Sequence, residues 1–114
     1  MKYYYPAIFE PKSNAAGFVL TIPDIQGCFT QSDDMEEALW MAHEAIGCKL
    51  ENVAEKNYPK ASRPEDLSLE GYPAGSFIKL VEFDKEKYDA DYAFLIEKKE
   101  QQSEYLSNVL PAFN

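Results

Sequence analysis

His43 is the single histidine of the chain, and Asp24, Asp33, Asp34, Glu36 and Glu37 make its densest run of carboxylates. These are the side chains whose types could do chemistry. A histidine acts as a general base only with an acid or a nucleophile beside it. No such partner is read for His43, which is expected to be a partly buried residue flanking an apolar helical stripe. The carboxylates invite a two-metal nuclease reading, in which Asp24 and its neighbours would hold Mg²⁺. That chemistry needs carboxylates converging on ions roughly 3.5–4 Å apart. Simpler roles account for them. Asp33 and Glu36 have the spacing of a helix capping box. Asp34 and Glu37 stand where a helix N-terminus favours negative charge. Asp24 lies in a turn, a common place for aspartate.

Trp40 is the other conspicuous residue. It lies roughly 130° around the helix from the apolar stripe, at 100° per residue. Glu44, Gly47 and Glu51 are near it at helical spacing, and Gly47 would let another backbone come close. Trp40 is expected to pack under the chain's own tail or its long loop, or against another subunit.

These residues sit on a regular succession of elements. Tyr3–Glu10 is aromatic and β-branched and reads as a strand, with Pro6 pointing to an edge or a bulge. Pro11–Gly17 is a turn, and Gly17–Ile22 reads as the second arm of a hairpin. Pro23–Gly27 is a tight turn in which Pro23 fixes φ and Gly27 supplies a positive one. Cys28–Gln31 is a short third strand. Met35, Leu39, Ala42, Ile46, Leu50 and Val53 then recur every three or four residues, with Ala38 at the margin, and predict an amphipathic helix. Lys56–Gly75 holds three prolines and reads as a connecting loop. Phe77–Phe83 alternates as a fourth strand. From Asp84 onward the pattern is helical, with Tyr88, Tyr92, Leu95 and Ile96 on one stripe, Leu106, Val109 and Leu110 continuing it, and Pro111–Asn114 ending it. The order is β-β-β-α-β plus a C-terminal helix. It defines an α+β protein with one antiparallel sheet under one covering helix. The division read is 1–84 as the domain and 85–114 as a helical tail.

A chain of 114 residues, 46% hydrophobic and 14% aromatic, can bury a core without metals or disulfides. Cys28 and Cys48 fit no metal-binding spacing, and no cofactor is expected. With 11 basic and 20 acidic residues the net charge is 11 − 20 = −9. That balance repels nucleic acid and favours a basic protein partner. The apolar runs are short and broken by charge, so no membrane span or signal peptide is read, and the cytoplasm is the expected compartment.

The stretch from Tyr5 to Ile46 resembles the HicB-like antitoxins of bacterial type II toxin–antitoxin modules. The resemblance rests on YPAIFE at Tyr5–Glu10, GFVLTIPDIQGCFTQSDD at Gly17–Asp34 and MEEAL at Met35–Leu39. It continues loosely through Phe77–Asp84. It implies a partial RNase H-like domain that is not an enzyme. It also implies a partner: a small basic HicA-like toxin that cleaves mRNA and whose active face the antitoxin covers. A homo-oligomer, dimer or higher, is expected. Many relatives carry a C-terminal DNA-binding module. Here the residues from Lys85 on balance at 4 − 6 = −2 and include no arginine, so operator binding is not expected. The residues expected at the partner interface are Tyr5, Asp24, Gln26, Phe29, Glu36 and Trp40. The alternative is an orphan HicB-like domain of phage or mobile-element origin that binds another protein or oligomerises. A residual ribonuclease using Asp24 is a third reading, of a different class.

Overall fold

A computed structural model describes residues 1–91. Its elements are β1 (Lys2–Pro11), β2 (Phe18–Thr21), β3 (Phe29–Ser32), α1 (Met35–Leu50) and β4 (Phe77–Asp84), in that order. The strands form one antiparallel sheet in the order β3-β2-β1-β4. The α+β pattern expected from the sequence is present, with strand limits displaced by about a residue, as is usual at element ends. The tail stripe from Tyr92 onward lies outside the described residues, and residues 85–91 are helical.

β1 is a central strand and still contains a proline. Its pairing with β2 runs only from Ile8 to Pro11, whereas its pairing with β4 runs from Lys2 to Phe9. Around Pro6 the strand therefore has a neighbour on one side alone. The edge read from Pro6 is a local one, and a proline is tolerated in a sheet at such a place. The turn after β2 closes through Ile25 N–H to the Ile22 carbonyl at 3.1 Å and Ile22 N–H to the Cys28 carbonyl at 2.9 Å. Gly27 sits at φ +71°, as that turn requires.

The cap of α1 is one residue later than the sequence indicates. Asp34, not Asp33, is the N-cap, and its carboxylate accepts from the Glu37 N–H at 2.8 Å. Glu37, not Glu36, reaches back to the Asp33 N–H, at 3.4 Å. Asp33 instead pairs with Lys12 at 3.1 Å, tying the β1 end to the helix start. Both registers offer an acid followed three residues later by a glutamate, so the sequence alone could not separate them.

The buried side of α1 is Ala38, Ala42, His43, Ile46, Gly47 and Leu50. Leu39, expected on the apolar stripe, is 40% exposed, and Ala38, expected at its margin, is fully buried. Small side chains at 38 and 42 let the helix lie close to the sheet. There it meets Tyr5, Phe9, Leu20, Ile22, Val81 and Phe83. Fully burying a side chain such as Ile46 contributes about 1.5–3 kcal/mol. His43 is more deeply buried than the partly buried surface residue expected. It is 6% exposed, and its ring lies against Trp40, Phe83 and Tyr88 at 5.8, 5.4 and 6.0 Å. The connection from α1 to β4 is more ordered than a plain loop, with 3-10 turns at Glu55–Asn57 and Pro64–Asp66.

Gly47 makes room for an aromatic ring, where the sequence pointed to a backbone. A Cβ at this position would overlap the ring of Tyr88, which comes from the helical residues after β4. The first turns of the tail thus dock on α1 of the same chain. Gly47→Ala is expected to destabilise the protein by about 1–3 kcal/mol through this overlap. In a Tyr88→Ala background the sign reverses, because only the helix propensity gain of up to ~1 kcal/mol remains. Urea unfolding of the four proteins of this cycle checks it, and destabilisation in both backgrounds would refute the packing account.

Candidate protein interface

The residues selected from sequence separate into two groups. Tyr5 and Asp24 both hold the α1–β4 connection in place. Tyr5 is 2% exposed and its hydroxyl donates to the Pro59 carbonyl at 2.7 Å. Asp24 accepts from the Ser62 N–H at 2.7 Å and from the Ser62 hydroxyl at 2.6 Å, one bond to each carboxylate oxygen. Tyr3, which sequence reasoning passed over, completes the clamp by donating to Glu55 at 2.5 Å, and that bond pushes its hydroxyl pKa up to about 12. Sequence could not reveal these pairs, since each joins residues more than 35 positions apart.

Gln26, Phe29, Glu36 and Trp40 are exposed, but they do not form one patch. Leu20, opposite Thr30, is part of the core beneath α1. Strand side chains alternate between faces, so Phe29 points from the side away from the helix. Glu36 and Trp40 do belong together. With Glu44 they are spaced by four residues and form one row along α1. Glu36 and Glu44 have no ion-pair partner among the described residues. Glu37 and Glu51 are exposed near the two opposite ends of α1. The result is an acidic helix surface with a tryptophan, 39% exposed, in its middle.

Trp40 also lines a groove of about 420 Å³ together with Tyr4, Leu39, His43, Lys79, Leu80, Glu82, Asp84 and Lys87. The Lys87 ammonium stands 5.5 Å from the centre of the indole ring, so the tail covers Trp40 in part. In the floor, His43 Nε2 lies 3.2 Å from the Asp84 carbonyl. A carbonyl only accepts, so Nε2 carries the proton. His43 Nδ1 is buried and has no partner among the described residues. Among the described residues no carboxylate is hydrogen-bonded to the ring. Among the described residues no group of three or more His, Cys, Asp or Glu side chains could hold a metal ion. Nor is any described helix long and apolar enough to cross a membrane.

A family model described as the HicB-like antitoxin of bacterial toxin–antitoxin systems matches residues 5–96. The chain belongs to that family. It is similar to one chain of a toxin–antitoxin complex from Streptococcus pneumoniae, at 27% identity and a TM-score of 0.63, over 77% of this chain and 73% of that one. The HicA3 and HicB3 toxin–antitoxin complex contains a chain that shares the fold at a TM-score of 0.57 and 22% identity, over 72% of this chain and 99% of that one. An uncharacterized 14.9 kDa protein from the rep–hol intergenic region of Haemophilus phage HP1 (strain HP1c1) is 35% identical over 60 residues. Those residues are 51% of this chain and 44% of that relative.

The clamp and the thiols give two measurable consequences. Asp24→Ala strands the Ser62 donors and is expected to cost about 1–3 kcal/mol in urea unfolding. An unchanged midpoint would show that the Asp24–Ser62 pair holds nothing. Cys28 is buried, and burial pushes its pKa up to about 11, whereas Cys48 is exposed. The thiolate is the reactive form. A thiol reagent at pH 8 should therefore titrate one cysteine in the native protein and two after unfolding. Two fast native thiols would contradict the burial of Cys28.

Proposed function

We propose that this protein is an antitoxin that binds a small basic HicA-like toxin and covers the face with which the toxin cleaves mRNA. The observation that carries the reading is the Glu36–Trp40–Glu44 row on α1, in a chain with a net charge of −9. An acidic surface can occupy a site built for phosphate, and a tryptophan at its centre supplies apolar contact of the kind that dominates binding energy. Gln26 and Phe29 would serve a second contact beyond the β2–β3 turn. The antitoxin acts by stoichiometric occlusion, without turnover. The sheet and its single covering helix are taken as a partial RNase H-like arrangement, with 1–84 the binding domain and 85–114 its tail. Operator binding is assigned no role.

The phage relative favours a second reading, an orphan HicB-like domain of phage or mobile-element origin that binds another protein.

Co-expression with the small basic protein encoded beside the gene separates the two. A complex purified through one tag, with rescue of growth from that protein's toxicity, is the outcome expected of an antitoxin. Neither complex nor rescue would sink it. Within such a complex, raising salt from ~0.05 to ~0.5 M should slow association by about tenfold or more and change dissociation by less than about twofold. Glu36→Lys with Glu44→Lys should mimic that loss at low salt. Association rates that ignore both salt and charge reversal would remove charge as the driving force.

A further inference from the structure

Trp40 is the only tryptophan of the chain, and its ring lines the groove beside β4. The indole is backed by His43, on which it stacks at 26° between planes. His43 is itself held by the Asp84 carbonyl and packed against Phe83. Near the indole stands a cation, the Lys87 ammonium. A cation over an aromatic face is attracted by its negative quadrupole, and indole attracts it best. The first turn after β4 brings Lys87 to this place. Asp84 caps that turn, because its carboxylate accepts from the Lys87 N–H at 3.3 Å. The Lys87 side chain has no ion-pair partner among the described residues and is exposed. It is therefore a cation held mainly by an aromatic ring.

The rest of the groove suits a cationic side chain better than lysine. Tyr4, Leu39 and Leu80 give it exposed apolar walls, and Glu82 and Asp84 give it carboxylates. Lys79 and Lys87 balance those acids, 2 − 2 = 0, and with Lys87 withdrawn the sum is 1 − 2 = −1. Glu82 meets Lys2 at 3.4 Å in an exposed pair, which holds it weakly. Glu36 and Glu44 lie one helical turn from Trp40 on either side. An arginine uses all three kinds of surface. Its methylenes lie on apolar walls, its planar guanidinium stacks on an aromatic face, and its N–H groups fork onto a carboxylate. Lysine neither stacks nor forks, so an arginine competes well for the place that Lys87 holds.

We propose that the groove seats an arginine side chain of a basic protein partner, and that Lys87 is a stand-in that yields to it. The identity of that partner rests on the antitoxin reading, whereas the chemistry of the seat does not. A second copy of this chain does not supply the arginine. The chain has one, Arg63, whose guanidinium is already forked onto Asp66 at 3.0 and 3.2 Å. Two copies at −9 each also repel. A phosphate-bearing ligand would meet carboxylates. The stand-in covers the indole while the partner is absent. An exposed cation–π contact is weak, so displacing it lowers the apparent affinity for arginine by only about two- to fivefold.

The test titrates the full chain with N-acetyl-argininamide at constant ionic strength and follows the single indole N–H signal by NMR. The citrulline counterpart keeps the shape and loses the charge, and the lysine counterpart keeps the charge and loses the plane. The arginine compound should move the indole signal saturably. The lysine compound should bind more weakly, and the citrulline compound should leave the signal in place. Lys87→Met keeps the apolar stem and removes the ammonium. It should shift the indole signal without any ligand and bind the arginine compound about two- to fivefold more tightly than the wild type. Glu82→Gln should weaken that binding. An indole signal that ignores the arginine compound, or follows citrulline equally, would overturn the seat. Equal binding by the wild type and Lys87→Met would overturn the stand-in. In a complex with the basic partner, Lys87→Met should slow dissociation by the same factor. If no such partner exists, the antitoxin reading falls and the arginine titration still decides the site.

Discussion

The close approach of α1 to the sheet is the constraint on which the rest of this structure depends. Ala38 and Ala42 are fully buried, and Gly47 lies under the ring of Tyr88. A larger residue at Ala38 or Ala42 would lift the helix, and one at Gly47 would displace Tyr88. With the helix seated low, the large residues of the sheet, Tyr5, Phe9, Leu20 and Phe83, fill the layer between. Interiors are packed to crystal density, so such a layer fixes the helix in one position. Both the acidic row and the groove owe their geometry to that position, since one side of α1 is used up by packing.

The groups that look chemical are consumed by architecture. His43 packs among aromatic rings and donates to the Asp84 carbonyl. Asp34 and Glu37 close the helix start, Asp33 pairs with Lys12, and Asp24 anchors Ser62. The connection between α1 and β4 is held at Glu55, Pro59 and Ser62 by side chains from β1 and the turn after β2. Polar groups spent in this way cannot also be free for a substrate. On α1, Glu36 and Glu44 have no ion-pair partner among the described residues.

Two surfaces of opposite electrostatic character lie side by side. The outer row of α1 is acidic, and the groove along β4 is apolar and neutral. Trp40 stands on the border between them. A chain of this charge repels its own copies over most of its surface.

The sequence by itself determined the element order, the tight turn at Pro23–Gly27, the acidic charge and the family. Each of these depends on local pattern or on a sum over residues, and neither needs the chain to be folded to be read. The position of the cap was legible only to within a residue, because Asp33–Glu36 and Asp34–Glu37 satisfy the same rule. Tertiary structure alone decided that Tyr5 and Asp24 are clamps, that His43 is core, and that Leu39 is exposed while Ala38 is not. It also decided that Tyr4, Leu39, Trp40 and Leu80 share a groove. The physical reason is distance along the chain. Burial and hydrogen bonding at these residues are set by partners 35 or more positions away, from β1 to β4 and from the turn to the connection. A periodicity that says which residues share a helical face cannot say which of two apolar faces the sheet will take.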